Sequence, residues 1–204
     1  MSTLGMMFTV STYGTWLRGD PRGWVDDGIV FPPNPQLEHA DRARLKYPPY
    51  YFPRGLWMDV GQAIGESLIS RMRIAILAMC VQSWHAHFVT AGTPHDVSDI
   101  VKCAKDAVRW KLQLHRPIWA TDYDKRFCFN AASVMNRIDY VERHNLRDGL
   151  PRRPWAFLRD WHEPTHLARG EYTAGNARHA TTPGQTGESV VHLIPMISIA
   201  ARRG

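Results

Sequence analysis

Two histidines stand two residues apart in an apolar stretch of the chain that reads Trp84-His85-Ala86-His87-Phe88-Val89. Alternate side chains of a β-strand point to the same face, so a strand here would place the imidazoles of His85 and His87 side by side. Two imidazoles on a buried face are costly unless their nitrogens have partners. A divalent metal ion would use both side chains, and we favour it over a pair of core histidines bonded to backbone carbonyls.

A second pair of reactive side chains, Tyr140 and His144, lies four residues apart in a stretch with helical periodicity. Residues at this spacing share one face of a helix. If that helix packs beside the histidine strand, His144 completes a set of three imidazoles with open coordination positions, as a catalytic metal requires. Tyr140 is then a candidate nucleophile, and because the ordinary pKa of a tyrosine is about 10 it needs a polarised substrate or a nearby base. Taken alone, the spacing is also typical of a tyrosine at the edge of a core.

The elements that must position these residues follow from the apolar periodicity. Strands are predicted at residues 6–16, 74–81, 84–89 and 126–129, with Gln82-Ser83 as a hairpin turn between the second and the third. Helices are predicted over 59–72 with Asp59 as cap, from Asp96 or Ser98 to about 115, and over 131–146 with Asn130 as cap. The order β, insertion, α, β-hairpin, α, β, α indicates an α+β sandwich with one face of the sheet covered by helices.

Two segments fall outside this pattern. Residues 20–57 form a long insertion rich in proline and aromatic residues, which we expect to be irregular. Its aromatic side chains either pack over one face of the domain, which we favour, or form a surface on which unpaired bases stack. The domain is expected to span residues 1–164, and the polar, Gly- and Thr-rich composition that follows predicts a disordered tail over 165–204. Residues 190–194 could form an isolated strand.

The composition is that of a globular chain, since 44% of the 204 residues are hydrophobic, and the formal net charge is +6. No run reaches the roughly 18 apolar residues of a membrane span, and the first residues lack the basic region and cleavage site of a signal peptide. Cys80, Cys103 and Cys128 are far apart and form no zinc-binding pattern, so we expect reduced thiols in a cytoplasmic protein. The positive charge suits a polyanionic partner such as nucleic acid.

Positive residues recur along one stripe of the second predicted helix, at Lys102, Lys105 and Arg109. Such a stripe is either an ordinary solvated face or a row of phosphate contacts, and the sequence leaves both interpretations open. Together with Arg143 and Arg147 near the candidate tyrosine, these residues are the predicted DNA contacts.

Four segments in the same order resemble a known family. His85-Ala86-His87 resembles the His-hydrophobic-His motif of the HUH endonucleases, and residues 140–150 resemble the tyrosine helix of the single-tyrosine HUH transposases. Residues 12–23 and 119–127 are similar to the start of the REP-associated tyrosine transposase branch and to the segment before its tyrosine helix. The resemblance extends over roughly residues 5–160. His144 stands where the branch usually has asparagine, Asn145 replaces the following proline, and Trp84 replaces an asparagine.

The resemblance implies a ferredoxin-like sandwich, with a central antiparallel sheet and helices on one face. It also implies single-stranded DNA cleavage and rejoining: Mg²⁺ or Mn²⁺ is held by His85, His87 and His144, and Tyr140 forms a 5′-phosphotyrosine intermediate. The expected partner is single-stranded or hairpin DNA, bound by a monomer or a homodimer. Two alternatives of other classes stay open, a domesticated DNA-binding protein that does not cut and a metal-dependent phosphodiesterase acting on RNA.

Overall fold

A computed structural model of the chain describes residues 3–26 and 29–162. The strands are β1 Gly5–Ser11, β2 Trp24–Asp26, β3 Ile29–Phe31, β4 Ile76–Val81, β5 His85–Ala91 and β6 Asp124–Cys128. The helices are α1 Pro35–Ala43, α2 Trp57–Met72, α3 Val97–Leu112 and α4 Ala131–Arg147, with a short 3₁₀ helix at Arg54–Leu56. None of these helices has the length and apolar character needed to cross a membrane.

Four of the strands form one antiparallel sheet in the order β4-β5-β1-β6. The connections β1–α2–β4 and β5–α3–β6 each cross over one intervening strand, and β4 joins β5 through a hairpin. This is the βαββαβ arrangement of ferredoxin-like folds, followed by the additional helix α4. The predicted class, an α+β fold with a central antiparallel sheet, is confirmed.

Side chains alternate along β1 between two hydrophobic clusters, one on each face of the sheet. Met6, Phe8 and Val10 belong to the larger cluster, which contains the buried residues of α2 and α3. Met7 belongs to the smaller cluster, in which α4 contributes Val134 and Val141. The predicted single layer of helices therefore holds for α2 and α3, whereas α4 covers the opposite face. The reason is that β4 and β5 present apolar side chains on both faces, and α2 and α3 cover only one of them.

Two glycines of α2 allow the segment after α4 to pack on this helix. A Cβ atom at Gly61 would lie 2.1 Å from the ring of Trp155, and one at Gly65 would lie 2.1 Å from the ring of Phe157. Trp155 is buried there and donates a hydrogen bond from its indole nitrogen to the Met58 carbonyl over 3.0 Å. The sequence shows both glycines, but helical periodicity alone does not say which ring occupies the space beside them.

The insertion is more regular than predicted. It contains the two-stranded antiparallel sheet β2–β3 and the helix α1, although α1 buries none of its residues. Asn34 caps α1 by accepting a hydrogen bond from the Leu37 amide, and Pro35 occupies the first helical position. The Asn-Pro pair was therefore a helix-start signal, and the absence of a clear apolar stripe concealed it.

Several predicted boundaries shift because of local backbone geometry. The strand β1 ends at Ser11 rather than at residue 16, since Gly14 turns the chain with a φ of 73°. Helix α2 begins two residues before Asp59, which lies in its first turn and does not cap it. Helix α3 ends at Leu112 because Gln113 adopts a left-handed φ of 48°. The Asn130 cap of α4 is confirmed, with its side chain accepting from the Ser133 amide over 2.8 Å.

The proposed tail over 165–204, including the possible strand at 190–194, lies outside the described residues. The last described segment, which ends at residue 162, is joined to the sheet through Arg159. The Arg159 amide donates to the carbonyl of Ile76, at the start of β4, over 2.8 Å. A domain limit near residue 164 stays a proposal.

Candidate metal centre

Strand β5 places His85 and His87 on the same face of the sheet, as its two-residue period requires. In the register of the sheet His85 lies opposite Ser11 of β1, and His87 lies opposite Thr9. Both imidazoles are only 2% exposed, and their ring centroids are 4.3 Å apart. Ala86, between them, belongs to the larger cluster on the other face.

Helix α4 brings the third imidazole to this face. Val134 and Val141 pack on the sheet, and His144 projects from the turn that follows. One potential ligand atom from each of His85, His87 and His144 lies within 4.8 Å of the other two. Within residues 3–26 and 29–162 these histidines are the one group of three that could hold a metal ion.

The end of α4 is fixed to the sheet by polar contacts. The side-chain amide of Asn145 donates to the Met79 carbonyl over 2.9 Å and to the Arg152 carbonyl over 3.0 Å. Gln82, in the turn between β4 and β5, donates to the Asp148 carboxylate over 2.6 Å. These bonds hold the last turns of α4 against the hairpin that carries the strand histidines.

Hydrogen bonds orient two of the three imidazoles and leave one ring nitrogen of each available to a ligand. The Nδ1 atom of His144 lies 2.8 Å from the Tyr140 carbonyl oxygen, which can only accept, so Nδ1 carries the proton and Nε2 keeps its lone pair. The Nδ1 atom of His87 is bonded to the Thr9 hydroxyl at 2.8 Å, which leaves Nε2 as the available ligand atom. The Nδ1 atom of His85 is buried without a hydrogen-bond partner. A buried orphan nitrogen beside two oriented imidazoles fits a metal site.

The protonation states also suit a metal ion. Burial, with smaller effects from His87, His144 and Arg22, holds the pKa of His85 well below its usual range. Burial, with a smaller effect from His144, lowers the pKa of His87 to about 3. Burial also lowers the pKa of His144, although its bond to the Tyr140 carbonyl opposes the shift. All three imidazoles are therefore neutral near pH 7, the form that binds metal.

The candidate nucleophile lies one helical turn before His144. The ring centroid of Tyr140 is 4.5 Å from that of His144 and 5.6 Å from that of His87. Burial and the neighbouring Cys80 raise the pKa of Tyr140 to about 12, while Arg147 and Arg137 act in the opposite direction. The phenol is therefore protonated near neutral pH, and a cation or a base at the site would have to assist its ionisation.

A cationic and aromatic cluster that sequence reasoning did not assign to the site adjoins His85. The Trp84 ring centroid is 3.8 Å from that of His85, and the Arg22 guanidinium lies 4.3 Å from the centre of the Trp84 ring. Arg22 is held by Asp20, a carboxylate on a residue only 5% exposed, with a shortest contact of 2.7 Å. These side chains come from segments more than 60 residues apart, so no local pattern could bring them together.

The predicted DNA contacts divide between two regions. Arg143 and Arg147 flank His144 on α4, and Arg143 also forms an ion pair with Asp139 at 2.9 Å. The other three residues, Lys102, Lys105 and Arg109, lie on α3, which packs on the opposite face of the sheet from the histidines. The structure therefore does not bring the α3 stripe into the metal centre.

Comparison with solved structures finds similar chains at low sequence identity. This chain is similar to a REP-associated tyrosine transposase bound to a REP hairpin, with 16% sequence identity and a TM-score of 0.45. The similarity covers 88% of this chain and 95% of that chain. No protein-family model and no curated protein matches the sequence.

Proposed function

We propose that this protein is a metal-dependent single-stranded DNA endonuclease and strand transferase, a transposase that uses Tyr140 as its nucleophile. The observation that carries the proposal is the position of Tyr140 one turn before His144 on α4, which places the two rings 4.5 Å apart. His144 in turn has a ligand atom within 4.8 Å of those of His85 and His87. A nucleophile and three neutral donors on one face are the parts that phosphoryl transfer to a tyrosine requires.

His85, His87 and His144 would hold a divalent cation, which when bound would neutralise the non-bridging oxygens of the scissile phosphate. Three nitrogen donors favour Mn²⁺ or another transition ion over Mg²⁺, because Mg²⁺ prefers oxygen ligands. The Thr9 hydroxyl and the Tyr140 carbonyl orient two of the imidazoles, so the donor set is positioned before any ion arrives.

In the proposed reaction the phenolic oxygen of Tyr140 attacks phosphorus. A bond forms between that oxygen and phosphorus, and the bond from phosphorus to the 3′ oxygen breaks. The proton lost by the phenol is balanced by the proton that the departing 3′ oxygen gains, and a 5′-phosphotyrosine remains on the protein. Attack by another 3′-hydroxyl reverses these steps and joins the strands. One phosphodiester is exchanged for another in each step, so no nucleotide cofactor is consumed.

Positive charge beside the site supports a polyanionic substrate. The charge of Arg147 acts on both groups: it opposes the rise in the pKa of Tyr140 and adds to the lowering of the pKa of His144. We propose that Arg147 and Arg143 contact phosphates next to the scissile one. Such contacts position the strand without reading its sequence.

The experiment is to trap the covalent intermediate. Full-length protein is incubated with a labelled oligonucleotide that carries a hairpin and a single-stranded extension, with Mn²⁺ present, and is then run on a denaturing gel. The proposal expects a labelled band at the mass of the protein plus the fragment on the 3′ side of the cut, whose 5′ phosphate is joined to Tyr140, and no such band with a chelator. DNA binding without such a band would indicate a domesticated binding protein. Metal-dependent cleavage of an RNA version without an adduct would indicate a phosphodiesterase.

A further inference from the structure

A cleft of about 830 Å³ lies on the α3 side of the domain, away from the histidines. It is formed by α3, by residues 114–121 after it, and by the chain at Lys46 and Tyr47. The sequence stripe on α3 opens into this cleft, since Lys102, Lys105 and Arg109 all line it. Two residues from elsewhere, Lys46 and Arg116, add to its positive charge.

The charge of the cleft is strongly unbalanced. Its five lysine and arginine residues face one lining carboxylate, Asp106, which lies 3.0 Å from Lys102 and 3.5 Å from Arg109. The side chains of Lys102 and Arg109 stay 76% and 68% exposed. Both can therefore exchange this weak surface pairing for a phosphate.

Lys105 has a different role from its neighbours on the stripe. Its ammonium group donates to the carbonyl oxygens of Ala120, Thr121 and Asp122, over 2.8, 3.0 and 3.1 Å. Burial lowers the pKa of Lys105, consistent with its position under this loop. All three hydrogens of the group are thus engaged, and Lys105 fixes the wall of the cleft.

Aromatic rings alternate with the cations. The Lys46 ammonium and the Arg116 guanidinium each lie 5.6 Å from the centre of the Tyr47 ring. Tyr123, also in the lining, has the ammonium groups of Lys105 and Lys125 at 5.7 and 5.8 Å. Partly exposed rings beside cations are the arrangement on which unpaired bases stack while their phosphates are neutralised.

The cleft lies at the same end of the sheet as the metal centre. The Thr12 amide donates to the carbonyl of Trp84, the residue before His85, over 2.8 Å. The next amide, that of Tyr13, donates over 2.8 Å to the carbonyl of Ile118 in the cleft wall. Two strand spacings, about 10 Å across the sheet, thus separate the His85 strand from this wall. A flexible strand can pass around the sheet end from one to the other.

We propose that this cleft binds the single-stranded DNA that flanks the scissile phosphate, with phosphates on Lys46, Lys102 and Arg109 and a base stacked on Tyr47. The proposal rests on the proposed function, which supplies a single-stranded DNA substrate. It extends that function by assigning the unpaired part of the substrate to the α3 face.

The test measures binding of the full-length Tyr140→Phe protein with Mn²⁺ present, so that cleavage does not interfere. The probes are a fluorescent single strand and a blunt hairpin without unpaired ends, titrated at several salt concentrations. The triple variant Lys46→Ala, Lys102→Ala, Arg109→Ala should flatten the salt slope of log K for the single strand by about 2, at roughly 0.7 per lost contact. Tyr47→Ala should weaken single-strand binding by roughly 5- to 150-fold, while Tyr47→Phe keeps it.

The matched control removes the same charge elsewhere, through Arg42→Ala, Arg71→Ala and Lys111→Ala, three exposed cations that do not line the cleft. An equal slope in the two triple variants would overturn the inference, as would an equal loss of affinity for the blunt hairpin, which would make the cleft a duplex site. The outcome is separable from that of the adduct assay. If the protein forms the adduct but the cleft variants bind the single strand normally, the cleft proposal is wrong and the proposed chemistry stands. If binding depends on the cleft but no adduct forms, the proposed chemistry is wrong and the cleft proposal stands.

Discussion

The imidazole of His144 donates a hydrogen bond to the main-chain carbonyl of Tyr140, one helical turn earlier, over 2.8 Å. One bond therefore sets the ring orientation of a candidate metal ligand and ties it to the backbone of the candidate nucleophile. A movement of α4 relative to β5 would displace both groups together, and the contacts of Asn145 and Gln82 oppose such a movement.

Tyr140→Phe should abolish covalent adduct formation and leave DNA affinity within a few-fold, because the change removes one hydroxyl and keeps the ring. Adduct formation is read on a denaturing gel, and affinity is read by fluorescence anisotropy. Tyr13→Phe and Tyr123→Phe are the comparison variants and should retain the adduct. An adduct that persists in the Tyr140 variant would transfer the role of nucleophile to one of these two tyrosines.

His85→Ala and His87→Ala should each weaken Mn²⁺ binding by more than the roughly 10- to 100-fold that loss of an outer-shell partner costs, because each removes a ligand. His144→Ala should cost less, since His144 is only partly buried and a water molecule could replace its imidazole as a ligand, and His144→Gln should restore part of the affinity by offering an oxygen. Calorimetric titration of Mn²⁺ into each variant provides the measurement. Equal affinities in wild type and variants would eliminate the site.

Thr9→Val tests whether the orientation of His87 matters to the site. Valine has nearly the shape of threonine but cannot bond to His87 Nδ1, so we expect Mn²⁺ affinity to fall roughly 10- to 100-fold with the fold intact. Thr9→Ser keeps the hydroxyl and should bind close to wild type. Circular dichroism of both variants checks the fold, and matching Mn²⁺ affinities would show that the hydroxyl has no effect on metal binding.

Acid should destabilise the metal-free protein through the buried imidazoles. The folded-state pKa of His87, about 3, lies below the ordinary value of 6.5, so the unfolded chain binds more protons between these limits. Its contribution to stability is complete above pH 6.5 and is lost as the pH falls towards 3, by about 1.4 kcal/mol per pH unit. Urea unfolding with a chelator at pH 7.5, 6 and 5 measures the slope. His87→Gln should reduce it by one proton, and an unchanged slope would mean that His87 protonates in the folded protein.

Gly61→Ala should destabilise the fold although alanine is the better helix former. The added methyl would lie 2.1 Å from the Trp155 ring, and overpacking of this kind costs about 1–3 kcal/mol. Gly55→Ala is the matched control, because a Cβ atom there meets nothing within 4 Å. Both variants are compared by urea unfolding. Equal stability of the two would indicate that Trp155 can leave α2 without cost.

The features that the sequence predicted best are those with a local cause. The shared face of His85 and His87 follows from the period of a strand, and the start of α4 follows from the Asn130 side chain. The features that it did not predict depend on distant partners. The side of the sheet taken by α4 depends on which face α2 and α3 leave open, and Arg22 reaches Trp84 only after the insertion folds back. The sequence predicted the stripe of Lys102, Lys105 and Arg109 on α3. It did not predict that this stripe lies on the other face of the sheet from the histidines, because that depends on the strand order and not on periodicity.

The division of the sheet into two faces also bears on how such a protein could change over generations. Phe8 and Phe88 stack at 4.9 Å in the larger cluster, which contains neither the histidines nor Tyr140. Under the proposed function, selection for a stable fold and selection for cutting would therefore act on largely different residues. If the proposed function holds, a lineage that lost Tyr140 by a single mutation would keep its fold and its basic cleft, and would retain DNA binding without cutting.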